Sequence, residues 1–300
     1  MTAAMVLCAG FGTRLRPITD SVPKPLLPVG DRPAFLHVLQ RLMSHGFAPI
    51  AMNTHHKADS FDGWVPQGVT IVHEHERILG TAGGVANAAP VLGRGDVLVW
   101  NGDVIAEPDV VELVGAHASH PGCLATLLAA PRQPGQGTLG VQRDGCVARL
   151  RGESFGEEVA GGDFLGIQII SSQGRALLPA HGCLVGDVYM PALRRGWRVQ
   201  VVWYDGAWDD IGSPGALLAA NLRWLNRRRH EFWVAPRARV DAGISLRATV
   251  VCDDATVHGR GTLERCLVLP GAVLEAPARG VIAVQGMGSI AVDPRAASSP

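Results

Sequence analysis

Residues Ala3 to Cys8 form an apolar run that empties into a loop carrying Gly10 and Gly12. A run this short and this apolar predicts an inner strand of a parallel sheet, buried on both faces. Glycine at both loop positions lets the main chain take positive φ and approach a ligand with no Cβ in the way, as a phosphate cradle needs. Arg14 then offers a rigid fork of donors for phosphate oxygens, and Lys24 a mobile point charge. The lysine is informative by type, because Lys and Arg total 27 and Lys24 and Lys57 are the only lysines. Set between Pro23 and Pro25, it is there for its compact ammonium. Gly-x-Gly alone fits an ordinary strand-to-loop turn equally well; the whole string does not.

The rest of the first half repeats strand and helix. Phe35, Leu36, Val38, Leu39, Leu42 and Met43 recur at helical spacing and stop at Gly46. Ile50 to Met52 predicts a short strand, a polar helix carrying Lys57 follows, and Val69 to Val72 predicts a third strand. That rhythm marks an α/β fold with a doubly wound, Rossmann-like sheet, whose ligands bind outside the carboxyl ends of the strands. Gly137 to Leu150 reads as a hairpin turned by Asp144-Gly145, which makes the sheet mixed. A chain of 300 residues, 47% hydrophobic and 18% charged, has room for one large domain and a smaller appendage.

Formal net charge is zero, which argues against a general binder of nucleic acid or membrane surfaces. No apolar run approaches the ~18 residues of a membrane span and no signal-type segment opens the chain, so the expected location is the cytoplasm. Six cysteines lie far apart with no Cys-x-x-Cys pair and read as buried free thiols. In His73-Glu74-His75-Glu76 the two histidines share a face; a polar strand end is the commoner reading, a metal site the rarer.

Three further stretches carry chemistry. Leu79-Gly80-Thr81-Ala82-Gly83-Gly84 opens a helix with glycines that cost ~1 kcal/mol each in a helix interior, so something must approach closely. Val97 to Trp100 is an inner strand ending in Asn101-Gly102-Asp103, which places a carboxylate at the sheet's carboxyl edge. Trp208-Asp209-Asp210-Ile211-Gly212-Ser213-Pro214 brings Asp210 to the entry of a helix that Ser213 caps, with Asp209 a supporting or exposed neighbour. From Phe232 the pattern changes. Apolar residues recur every six at Val234, Val240 and Leu246, slip by one, and resume at Val251, Val257, Leu263 and Leu269, which reads as a degenerate hexapeptide repeat.

The strings Leu7-Cys8-Ala9-Gly10-Phe11-Gly12-Thr13-Arg14-Leu15-Arg16-Pro17 and Pro23-Lys24-Pro25-Leu26-Leu27-Pro28-Val29 resemble the opening signature of the sugar-1-phosphate nucleotidylyltransferases. Cys8 departs from the usual Ala or Gly. The resemblance spans about residues 3 to 225. It implies a catalytic domain over 1–230; the six-residue repeat reads as a short left-handed β-helix-like segment over 231–293, and 294–300 as a disordered tail. Leu7, Ala9, Gly10, Gly12, Thr13, Gly80 and Thr81 would bind nucleotide, Arg14 and Lys24 would be catalytic, and Asp103 and Asp210 would hold Mg2+. The family commonly has Gln or Glu five residues ahead of Gly80; His75 stands there, which leaves the base open. Asn101 and Gly166 would line the sugar-phosphate site. The family's Glu-Lys-Pro element is replaced by Arg151-Gly152-Glu153, so Arg149 or Arg151 takes the lysine's place or the acceptor is held differently.

The implied partners are an NTP and a sugar 1-phosphate, with no nucleic acid and no membrane, and with homo-oligomer formation through the C-terminal segment open. The implied reaction moves a nucleoside monophosphate to the sugar phosphate and releases pyrophosphate. Two alternatives stay open: a cytidylyltransferase acting on phosphocholine or a similar small phosphate, and a non-catalytic subunit of the same fold.

Overall fold

Strand β1, Ala3–Leu7, is flanked by parallel strands on both sides, which is why its residues are apolar without alternation. On one side lie β2, Ile50–Thr54, and beyond it β3, Val69–His73, both parallel. On the other lies β4, Val97–Asn101. The structure, a computed structural model, describes residues 2 to 292; the expected disordered tail, 294–300, lies outside them. The sheet then turns antiparallel. The long strand β6, Ala160–Ile170, runs against β4 and against β5, Cys123–Arg132, and β7, Arg198–Trp203, adds to β5 in parallel. The predicted hairpin forms from Leu139–Val141 and Val147–Leu150 and completes, with Glu153–Ser154, a mixed ten-stranded sheet.

Helix α1, Ala34–Ser44, forms where the apolar spacing predicts it. Helix α2, Gly80–Asn87, packs its small residues inward, and α3, Val110–Ala118, is capped by Asp109, whose carboxylate accepts from the Val111 and Glu112 amides. The predicted polar helix around Lys57 is instead a single 3-10 turn, Ala58–Phe61, entered through Lys57 in the left-handed region. Phe61 is its only buried residue, and one anchor does not sustain several helical turns.

The described residues form two units: those up to Phe11 with Phe35–Trp208, and Gly12–Ala34 with those from Asp209 on. The first holds the ten-stranded sheet. The second is built on helix α4, Pro214–Arg228, which Ser213 caps by accepting from the Ala216 amide. Asn221, fully buried on α4, accepts from the Gly30 amide at 2.8 Å and donates to the Pro28 carbonyl at 3.0 Å. The turn after the lysine motif is thus tied to the helix. Gly30 is glycine because a Cβ there would strike the Trp224 ring.

After α4 the chain winds into coils whose strands stack in parallel. Phe232 lies opposite Thr249, Val250 opposite Leu267 and Thr256 opposite Val273, seventeen residues on each time. A coil one residue short of three sixes is the physical form of the slip in the repeat. Val251, Val257, Leu263 and Leu267 fill the coil interior, and a final strand, Gly288–Ala291, folds back antiparallel on Val281–Val284.

Asn221→Ala removes the partners of two buried main-chain groups, so it should lower the unfolding free energy by on the order of 3 kcal/mol in urea denaturation. An unchanged midpoint would show that the turn does not depend on α4.

Candidate active site

In the first unit the sheet register lines up the carboxyl ends of three strands. Leu7 sits between Asn53 of β2 and Asn101 of β4. One strand further, Gly166 of β6 has φ +72, and a Cβ there would strike the Asn101 amide. Gly166 is therefore what lets Asn101 take its place at the edge. The main chain continues the alignment, with the Gly102 amide donating to the Leu7 carbonyl at 2.9 Å. Cys8 fits because Gly102 has no side chain: a Cβ there would lie 2.5 Å from the Cys8 sulfur. Burial pushes the Cys8 thiol well above its ordinary range, and the Asp103 carboxylate pushes it further. Gly10 is exposed, with no atom within 4 Å of where a Cβ would stand, leaving its backbone open to a ligand.

The Gly80 loop is packed against protein. Gly182 donates to the Leu79 carbonyl at 2.8 Å and accepts from the Ala82 amide at 2.9 Å, while Thr81 Oγ1 accepts from the Leu184 amide at 2.8 Å. A Cβ on Gly80 would strike the Gly182 carbonyl, one on Gly83 the Ala180 carbonyl at 2.7 Å, and one on Gly84 the Asn53 amide at 2.6 Å. The close approach inferred from these glycines is met by the protein's own atoms. His75 is exposed and its ring lies 5.7 Å from that of His73. Its neighbour Glu74 is buried and accepts from the Leu79 amide and from Asn53 Nδ2, both at 2.7 Å. Sequence reasoning gave Asn53 and Glu74 no part in the site: Asn53 stands one residue before the end of β2 and Glu74 just past β3, polar positions like others at strand ends.

The arginine alternatives separate. Arg149 is held by Glu158 at 2.8 Å and by the carbonyls of Gln136, Gly137 and Leu139. Hydrogen bonding to Glu158 keeps its guanidinium above the usual arginine range. Arg151 is exposed, reaches the Cys183 sulfur at 3.2 Å and makes no ion pair among the described residues. Of the six cysteines, all free, Cys183 alone is not buried.

In the second unit Lys24, 8% exposed, donates from Nζ to Asp210 Oδ1 at 3.0 Å. Arg14 lies 3.9 Å from Oδ2 of the same carboxylate and is largely open to solvent. Residues predicted from opposite ends of the motif series, Arg14, Lys24 and Asp210, are therefore brought together. Gly12, with φ +62, turns the chain, and Thr19 Oγ1 donates to its carbonyl at 2.9 Å. Thr13 is exposed at the start of the next turn. Asp209, taken as a supporting or exposed residue, is buried and bound by Arg223 and Arg227 of α4. Successive side chains of an extended strand point opposite ways, so this anchor turns Asp210 outward toward Lys24.

The sequence pattern of the Nucleotidyl transferase family matches residues 3–149. The N-acetylmuramate alpha-1-phosphate uridylyltransferase of Neisseria meningitidis serogroup B is 34% identical over 224 residues, 70% of this chain and 93% of that protein. The chain belongs to the sugar-1-phosphate nucleotidyltransferase family. Another member, the mannose-1-phosphate guanylyltransferase catalytic subunit beta of Drosophila pseudoobscura pseudoobscura, is 27% identical over 269 residues, 87% of this chain and 71% of its own. The fold agrees with the crystal structure of HddC from Yersinia pseudotuberculosis complexed with GMP-PN, at TM-score 0.61 and 20% identity over 75% of this chain and all of that one. No described helix of this nucleotidyltransferase is long and apolar enough to cross a membrane.

The two motif glycines make different demands. Gly12→Ala would force a left-handed alanine, at a cost of roughly 1–2 kcal/mol, and set its Cβ 2.9 Å from Thr19 Cγ2. Gly10→Ala meets no atom. Urea denaturation should show a loss of at least about 1 kcal/mol for the first and no more than about 0.5 kcal/mol for the second.

Proposed function

We propose that this nucleotidyltransferase moves a nucleoside monophosphate from an NTP to a sugar 1-phosphate and releases pyrophosphate. The observation that carries the reading is the buried Lys24 ammonium held against Asp210 with Arg14 beside it, an arrangement suited to phosphate charge. The sugar phosphate is already ionised, so its oxygen attacks the α-phosphorus in line without a general base. The bond to the β-phosphate oxygen breaks and pyrophosphate leaves. Gly10 and Gly12 present main-chain amides to the triphosphate, Arg14 receives the leaving pyrophosphate, and Lys24 stabilises the charge that builds on the α-phosphate. Leu7, Ala9, Thr13 and His75 face the nucleoside, and the Gly80-Thr81 loop, packed on Gly182 and Leu184, shapes that side of the site.

Asp103 and Asp210 offer hard carboxylate oxygens, which fit Mg2+, an ion usually held by one or two carboxylates together with substrate phosphates. Among the described residues no group of three or more His, Cys, Asp or Glu is placed to hold a metal, which such an ion does not require. Bound there, Mg2+ would neutralise phosphate charge. Asn101 and Gly166 shape the sugar side of the site, and Arg151 takes the acceptor phosphate, since Arg149 is already committed to Glu158 and three carbonyls.

Pyrophosphate release measured for each common NTP against a panel of acceptors tests the reading. UTP with N-acetylmuramate 1-phosphate and GTP with mannose 1-phosphate are the first pairs to try. Turnover with a sugar 1-phosphate is expected; turnover with phosphocholine alone, or with no acceptor, would overturn it. Lys24→Ala and Asp103→Ala should each lower kcat on the order of 10²-fold or more. Arg151→Ala should raise the acceptor KM about tenfold while leaving the NTP KM in place, whereas Arg149→Ala should lower the melting temperature instead.

A further inference from the structure

Glu74 is 3% exposed, yet among the described residues it makes no ion pair. Burying a carboxylate is costly, and an apolar side chain of similar volume would commonly be no less stable there. Its two hydrogen bonds show what it does instead. One oxygen accepts from Asn53 Nδ2 and the other from the Leu79 amide, both at 2.7 Å, while Asn53 Oδ1 accepts from the Cys8 amide at 2.8 Å. The chain of bonds runs from Cys8 through two side chains to Leu79, joining the loop that contains Gly10 to the loop that contains Gly80. Gly84 clears the space beside it: a Cβ there would lie 2.6 Å from Asn53 Nδ2 and 3.1 Å from Glu74 Oε1.

We propose that Asn53 and Glu74 are positioning residues that fix the spacing between the phosphate-facing and nucleoside-facing loops, so that a base is recognised in register with its phosphates. Neither side chain touches substrate. The inference rests on the nucleotidyl-transfer reading, which assigns those two loops their ligands. Its sharpest consequence is a polarity rule. The Asn53 amide donates to the Glu74 carboxylate, and the same three bonds form if the two functional groups exchange places. A carboxylate at position 53 would accept from the Cys8 amide and from a side-chain amide at position 74, whose oxygen would accept from the Leu79 amide.

The test uses isothermal titration of the full chain with an NTP that binds the wild type and with inorganic pyrophosphate, which has no base. Glu74→Gln alone sets a donor against Asn53 or Leu79 and breaks one bond; NTP affinity should fall about tenfold and pyrophosphate affinity by no more than about twofold. The double variant Asn53→Asp with Glu74→Gln should return NTP affinity to within about threefold of wild type. Melting temperatures recorded alongside identify a variant that has not folded, and the folded double variant still carries the comparison. Equal losses for NTP and pyrophosphate, unchanged NTP affinity in Glu74→Gln, or a double variant no better than the single would overturn the relay. A wild-type chain that binds pyrophosphate and no NTP would overturn the nucleotidyl-transfer reading itself.

Discussion

A lysine ammonium that is nine-tenths buried must be paired, and the second unit is arranged around that requirement. Its partner Asp210 lies far along the chain, so the pair exists only if two distant segments are held still. Helix α4 holds both. Asn221 ties down the turn that follows the lysine, and Arg223 grips Asp209 so that the next residue faces the other way. Loss of either anchor would loosen the Lys24–Asp210 pair, so packing and electrostatics depend on one another here.

The glycines divide by what they admit. Gly10 faces open space, which suits a ligand, whereas Gly80, Gly83, Gly84, Gly102 and Gly166 each make room for a protein atom. From sequence these cases look alike, because each requires only that a Cβ be missing. The missing atom says that something is close and does not say what. Within the first loop itself the two cases occur side by side, since Gly10 meets no atom while Gly12 makes room for Thr19 and Lys24, and in the second loop every glycine serves the protein's own packing.

Much of the architecture was legible because burial leaves periodic marks. The unbroken apolar runs gave inner parallel strands, the 3.6-residue spacing gave α1, and Ser213-Pro214 gave the start of α4. What was not legible lacked such a mark. The stretch near Lys57 is polar enough for a surface helix, but with one buried anchor it closes a single turn. The coils stride seventeen residues and then fifteen, as from Leu267 to Ile282, and a stride that is no multiple of six reads as a fault in a six-residue pattern. Asn53 and Glu74 escaped notice because each has meaning only through the other, across a pairing that sequence order does not display.

The choice between lysine and arginine follows from the same geometry. Lys57, the other lysine, is exposed at the entry to a turn, where the compactness of its head group matters little. Lys24 sits in a 3-10 turn between Pro23 and Pro25, whose rings fix the local backbone, and it is buried together with Pro25 and Leu26. A guanidinium there would bring a planar group with five donors into a buried position where each donor needs a partner. An ammonium has three donors and can turn about its stem, so it meets that demand with fewer partners, Asp210 among them. In a chain that otherwise relies on arginine, that freedom is a physical reason for the exception.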